Sequence, residues 1–239
     1  MSGRGDADTF VVMTLIAEDL LLLLLDDVKG TVSTWGRTDA LLGGAVLAEL
    51  AVAGLVALDE NKSFWRTDKV HAAAPAPTDL DPVLAEALAT IAEKDRKAST
   101  LVTRIGKGLE DRLAAGLAER GMVERKDGKL LGLFPRTTWP ASDTTRETEV
   151  RRTITACLVD GADPDPRTGA LIALLAAIDQ AHAAVTPGTT ATKKALEQKA
   201  KEIAAGQWAA KAVKDAVDAA TAAMVGAVAV TTAATVASS

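Results

Sequence analysis

The chain of 239 residues has one cysteine, two histidines, no tyrosine and 3% aromatic residues. One cysteine excludes a disulfide scaffold and a cysteine-based zinc site. His71 and His182 lie far apart in the sequence, which excludes a histidine-rich metal site. With so few aromatics, the core is expected to be Ala, Leu and Val, side chains small enough for closely spaced helices. No basic stretch precedes an apolar run at the amino end, so no export signal is read there. The run Leu20–Leu25 is bounded by Glu18, Asp19, Asp26 and Asp27 and falls well short of the roughly 20 apolar residues of a membrane span. The uncharged segment Ala219–Ser239 is diluted by threonine and serine, and it reads as a packed terminal helix. Together with the single thiol, these features point to a cytoplasmic protein. The weight of Ala, Gly, Val, Asp, Arg and Thr fits a GC-rich bacterial genome.

What is present suffices for a sizeable core: 48% of residues are hydrophobic. Net charge is −5, but the cations are uneven. Arg96–Arg152 holds 13 basic and 8 acidic residues, a net of +5, against −10 for the rest. Such an island attracts phosphate, anionic lipid or nucleic acid, or else is a solvated face of ion pairs.

A loose tail over residues 1–9 and a single domain over 10–239 are expected. Apolar periodicity predicts helices over about Leu15–Asp26 and Asp39–Ala53, the second capped by Gly54. A short strand-like piece, Thr31–Thr34, lies between them. Leu55–Leu58 and Phe64–Val70 read as a hairpin turning at Asp59–Ser63. Helix, short strand, helix, hairpin is a winged-helix order. Further helices are expected from Asp81-Pro82 to about Glu93 and from Ala98 to Glu119. A second hairpin, Met122–Phe134, follows with Asp127-Gly128 at its tip. Leu50-x3-Gly54-Leu55-Val56 is echoed 67 residues later by Leu117-x3-Gly121-Met122-Val123. The remaining helices are placed at Thr144–Val159, Gly169–Val185, Lys193–Ala205 and Gln207–Val236. Gly169–Val185, apolar nearly all round, belongs at the centre of the bundle. The fold class is mainly α, a helical bundle around a central apolar helix with two short β-hairpins.

Motifs for covalent, metal or nucleotide chemistry do not occur. Gly106-Lys107-Gly108 lacks a third glycine and sits within a helical pattern. Asp163-Pro164-Asp165 is half of a calcium loop and is better read as a helix cap. Asp179 and His182, three apart on a helix, could pair. No cofactor is expected, and the chain is read as a non-enzyme. A binding surface remains. Trp35 and Arg37 lie in a loop between two apolar helices, and an indole favours wet–apolar boundaries. Arg104, Lys107 and Arg112 fall on one expected helix, and such cations beside an indole suit a phosphate. Leu130, Leu131, Leu133 and Phe134, beside Lys126, Lys129 and Arg136, would suit a membrane interface or a partner groove if their hairpin projects.

Several segments, in order, carry a family resemblance: Thr14–Leu25, Gly30-Thr-Val-Ser-Thr-Trp35, Leu47–Gly54, Asp111–Gly121, Leu130–Phe134 and Arg167–Leu174. Together they resemble the Golgi phosphoprotein 3 family, whose yeast member is a vacuolar sorting protein. The resemblance runs from about residue 10 to 235, and with the composition above it suggests a bacterial member. It implies a mostly helical protein on the cytosolic membrane face that binds phosphatidylinositol 4-phosphate and the cytosolic tails of membrane proteins. The family's headgroup pocket of one Trp and three Arg maps here onto Trp35, Lys107, Gly43 and Glu110. Arg37, Arg104 and Arg112 are candidate substitutes. The family's self-association hairpin maps onto Met122–Phe134, which implies homo-oligomers. The alternative function is a winged-helix-like nucleic-acid-binding regulator. Against it, the net charge is acidic and the helix Asp39–Ala53 carries no Arg or Lys, so nucleic acid is not an expected partner.

Overall fold

A computed structural model describes residues 14–32, 38–58, 69–130, 134–209 and 211–236. The protein is mainly helical, as the sequence predicts. The elements are α1 (Ile16–Leu24), α2 (Thr38–Val52), β1 (Val56–Leu58), β2 (Lys69–Ala72), α3 (Pro82–Ala92), β3 (Arg96–Lys97), α4 (Ala98–Gly106) and α5 (Leu109–Glu119). They continue with β4 (Lys126–Leu130), β5 (Phe134–Thr138), α6 (Thr145–Leu158), α7 (Pro166–Ala177), α8 (Lys193–Ala205) and α9 (Lys211–Val236). Strands β1, β2 and β3 form an antiparallel sheet in that order, and β4 pairs with β5. The expected tail over residues 1–9 and the turn Asp59–Ser63 lie outside the described residues, as do most of Thr31–Thr34 and of Phe64–Val70.

Helix α2 is the hub. It packs on α1, α4, α5, α7 and α9, and Leu41, Leu42, Val46, Leu47 and Leu50 are fully enclosed. Helix α7 is also buried along Thr168–Ala176, so two apolar helices share the centre that the sequence assigned to one. Glycine allows α2 and α4 to meet closely. A Cβ on Gly43 would sit 2.0 Å from the Val102 carbonyl oxygen, and one on Gly106 would sit 1.7 Å from the Asp39 carbonyl oxygen. No side chain fits at either place. The expected helix ends at Gly54 and Gly121 are present. Both glycines have positive φ, and Leu55 N and Met122 N donate to the Leu50 and Leu117 carbonyls. This is one Schellman geometry made twice, which explains the sequence echo.

Three expected elements are corrected. The helix over Ala98–Glu119 is two helices, because Gly108 (φ +69°) breaks it after Lys107. The second hairpin is shifted. Asp127 and Gly128 lie inside β4, opposite Thr137 and Arg136, so they are not the tip. The register follows from Asp127, which accepts hydrogen bonds from Thr137 Oγ1 (2.9 Å) and Arg125 Nε (3.2 Å). It follows also from Trp139 N, which donates to Gly30 O at 2.8 Å and fixes the end of β5 against the chain after α1. The helix Gly169–Val185 is instead α7, which starts at Pro166 and stops at Ala177. Asp165 caps its first turn by accepting from Arg167 N and Thr168 N. Asp179 adopts a left-handed φ of 52° just past its end, and a short 3₁₀ turn, Ala181–Ala183, follows. Asp179 and His182 therefore do not pair on a helix. Asp179 accepts from Lys201 (2.8 Å), and His182 Nδ1 meets Glu197 at 2.6 Å.

Charges that belong to the core hold α1 in place. Asp19 is 2% exposed and accepts two hydrogen bonds from Arg146 (2.9 and 2.7 Å), one from Arg167 (3.0 Å) and one from Thr14 (2.6 Å). Glu18 pairs with Arg120 and accepts from Leu15 N. Glu49 of α2 accepts from Ile16 N and pairs with Arg167. The first turn of α1 thus meets the end of α5, α6 and α7 through partly buried ion pairs and α2 through the Ile16–Glu49 hydrogen bond, and its buried carboxylates need these partners to offset desolvation. Burial pushes the Glu49 carboxyl above its ordinary range although Arg167 pulls it down. Burial also raises Glu147, with the Asp27 carboxyl adding to the rise and Arg151 opposing it.

Replacing Gly106 by alanine is expected to cost about 1–3 kcal/mol, because the backbone of α2 must shift; the check is a lower urea midpoint with the slope preserved. Asp19→Asn removes the carboxylate shared by the half-buried Arg146 and Arg167, which keep Glu149 and Glu49 as partners. It is expected to cost about 1–3 kcal/mol in the same assay. For Glu147, a folded-state value above the ordinary 4.5 means that its contribution to stability is full below 4.5 and is lost as pH rises through the folded value. The stability of wild type relative to Glu147→Gln, read by chemical denaturation, should therefore fall as pH rises from about 4.5 to about 7.5.

Candidate functional site

The break at Lys107-Gly108 builds the site. Gly106 presses on the first turn of α2, so the end of α4, the start of α2 and the start of α5 converge. Lys107 is left exposed at the tip of the turn and makes no ion pair with any described residue. Arg104 leaves the last turn of α4 and Arg112 leaves α5. Both reach toward α3, so with Lys107 they line one shallow cleft of about 80 Å³ that also contains Val83, Glu86 and Thr90. The three cations predicted from sequence are thus brought together, although on two helices and a turn rather than on one helix. Their charges are only partly free. Arg104 pairs with Glu93 at 3.4 Å, which Arg96 also meets at 3.2 Å, and Arg112 pairs with Glu86. These are exposed pairs of about 0–1 kcal/mol each, so a competing anion can open them.

Trp35 and Arg37 lie outside the described residues, between Val32 and Thr38. Thr38 itself is buried and hydrogen-bonds the Glu110 side chain. Burial raises the Glu110 carboxyl above its ordinary range, and the nearby Asp111 and Asp39 raise it further. Gly43, at one of the mapped arginine positions, is the contact point with Val102, so the close helix packing explains its missing side chain.

The second candidate surface is the β4–β5 hairpin. Lys126 meets Glu124 at 3.1 Å, and Lys129 is exposed without an ion pair among the described residues. Leu130 and Phe134 are backbone partners in the last rung of the ladder, and Leu131 and Leu133 lie outside the described residues. Trp139, buried beneath the Arg125 guanidinium at 5.9 Å, anchors the base.

Sequence reasoning missed the partners. Five of the thirteen cations of the basic island are spent on acids elsewhere, Arg96, Arg104 and Arg112 at α3 and Arg120 and Arg146 on α1, and Arg151 is spent on Glu147 within the island. The one signal was Glu49, a lone charge in the apolar run Leu41–Val52, which marks a buried ion pair. A cavity of about 530 Å³ between α6 and α7 is lined by three acids, Asp19, Glu149 and Asp165, and three cations, Arg146, Arg152 and Arg167. Its Asp19 and Glu149 are met by Arg146 and Arg167, and its Asp165 caps α7. Helix α2, placed where a winged-helix recognition helix would be, is surrounded by other helices, so it has no face to lay in a groove. Among the described residues no group of His, Cys, Asp and Glu could hold a metal ion, and no helix is long and apolar enough to cross a membrane.

No curated protein matches the chain. A family model described as Golgi phosphoprotein 3 (GPP34) matches residues 16–220, from the first residue of α1 to the middle of α9. That family is not one of enzymes. A match over this span, on a helical body built as the sequence resemblance implies, shows that the chain belongs to the Golgi phosphoprotein 3 family.

Proposed function

We propose that this protein is a peripheral membrane adaptor, a single domain over residues 10–239. Its α4–α5 turn docks on anionic phospholipid headgroups at the cytosolic face of a membrane. The observation that carries this reading is Lys107, held exposed and without an ion pair among the described residues where three helix ends meet, with Arg104 and Arg112 in weak pairs beside it. Family membership supports a membrane role. Trp35 and Arg37, just ahead of Thr38 in the chain and outside the described residues, are the further headgroup contacts proposed from the sequence. The β4–β5 hairpin is the proposed second contact, with Lys126, Lys129, Leu130, Leu131, Leu133 and Phe134 meeting the bilayer or a second copy of the chain. Tails of membrane proteins are the cargo that such an adaptor would carry.

Vesicle co-sedimentation tests the reading. Binding is expected to rise with the anionic lipid content of phosphatidylcholine vesicles and to fall with added salt. Lys107→Ala should weaken it about fivefold, the effect of one surface cation worth about 1 kcal/mol. Equal binding to neutral and anionic vesicles would defeat the reading.

A further inference from the structure

We propose that Arg104 is the second phosphate-binding cation of the Lys107 cleft, and that Arg112 stays on Glu86 as a neutral wall. The inference rests on the membrane-docking reading and assigns the residues that make its lipid contact.

Both arginines line the cleft, and both are paired with acids at α3. What differs is the acid each must leave. Glu93 receives two arginines on one oxygen: Arg96 Nη2 donates to its Oε2 at 3.2 Å and Arg104 Nη2 at 3.4 Å. Arg96 is the more firmly seated. Its side chain is 17% exposed and donates also to the Thr90 carbonyl oxygen at 2.6 Å, whereas the Arg104 side chain is 54% exposed. When Arg104 turns away, Glu93 therefore keeps a counter-charge. Glu93 is also outside the lining of the cleft. Glu86 is placed differently. It lines the cleft, and Arg112 is its one ion-pair partner among the described residues.

A lipid phosphate carries negative charge and accepts hydrogen bonds from cations. Arg104 can meet it without stripping an acid of its partner, and it stands in the last turn of α4, three residues before Lys107. For Arg112 the same movement would leave Glu86 as a bare carboxylate inside the cleft. That carboxylate repels a phosphate at short range and has no proton to donate to it. The bond that Arg112 gained would be offset by that repulsion. Exposed pairs of this kind are weak, so the choice is set by what each release leaves behind and not by the strength of the pair. The phosphate is accordingly held between Lys107 at the turn and Arg104 on α4.

The test is co-sedimentation with phosphatidylcholine vesicles that carry both phosphatidylglycerol and phosphatidylinositol 4-phosphate, so that no preference between the two headgroups enters. Two pair deletions are compared, Glu93→Gln with Arg104→Gln and Glu86→Gln with Arg112→Gln. Each removes one acid and one cation. Net charge is therefore unchanged in both, and a difference between them reports the local contact. Losing Arg104 with Glu93 should weaken binding about fivefold, the effect of one surface cation. Losing Arg112 with Glu86 should change it less than about twofold. Circular dichroism checks both folds. Should either be disturbed, wild type decides: labelling of arginines with phenylglyoxal, read by peptide mass, should fall more at Arg104 than at Arg112 when the vesicles are added. Equal losses from the two deletions, a larger loss from the Arg112 pair, or no loss from either overturns this inference, as does protection of Arg112 equal to that of Arg104. Wild type that still binds in proportion to anionic lipid leaves the docking reading standing in each of these cases. Wild type that does not bind the vesicles at all overturns both.

Discussion

The approach of α2 to α4 constrains nearly everything else in the functional half of the molecule. Gly43 lies on Val102, and Gly106 lies on the backbone of Asp39. Two helices in that register cannot slide, because any larger side chain at either glycine would force them apart. The contact fixes where α4 must stop. Directly after it the chain turns at Lys107 and Gly108 and starts α5, so the exposed lysine, the start of α2 and the acid at position 110 fall into one neighbourhood. The candidate site is a by-product of helix packing, and the surface chemistry is carried by the few residues that packing leaves outside.

A second constraint works at the other side of α2. The first turn of α1 is acidic and buried, and its carboxylates are met by Arg120, Arg146 and Arg167 from three different helices. Such pairs rarely add much stability against an apolar alternative, but losing one partner is costly. They give the bundle direction. Asp19 is satisfied by Arg146 and Arg167 only when α6 and α7 sit where they do, and Glu49 ties the same cluster to α2. This explains why a basic middle segment has less free positive surface than its composition implies. The segment is basic because it supplies the counter-charges for acids on α1 and α3.

The two ends of the family resemblance receive different physical accounts. Gly43 stands at a position mapped to an arginine because no side chain fits between α2 and α4 there. Glu110 stands at another because it closes a hydrogen bond between the starts of α2 and α5. Both departures serve packing in this chain. The fold of the family is kept, while these two mapped positions carry no cation.

Much of the fold was legible because it depends on local chemistry. Asp81-Pro82 starts a helix, Gly54 and Gly121 end helices, and the apolar run of α2 can only be a core helix. These follow from side-chain caps, a positive φ and periodicity, which neighbours along the chain settle. The sequence also determined the aliphatic core and the presence of cations at 104, 107 and 112. Tertiary structure alone decided the break after Lys107, the hairpin register around Asp127 and the end of α7 at Ala177. Each depends on a partner distant in the chain: Asp39 for Gly106, Thr137 for Asp127, Lys201 for Asp179. It also decided which arginines are spent on buried or neighbouring acids, since a charge is free or paired only according to what the fold brings within reach.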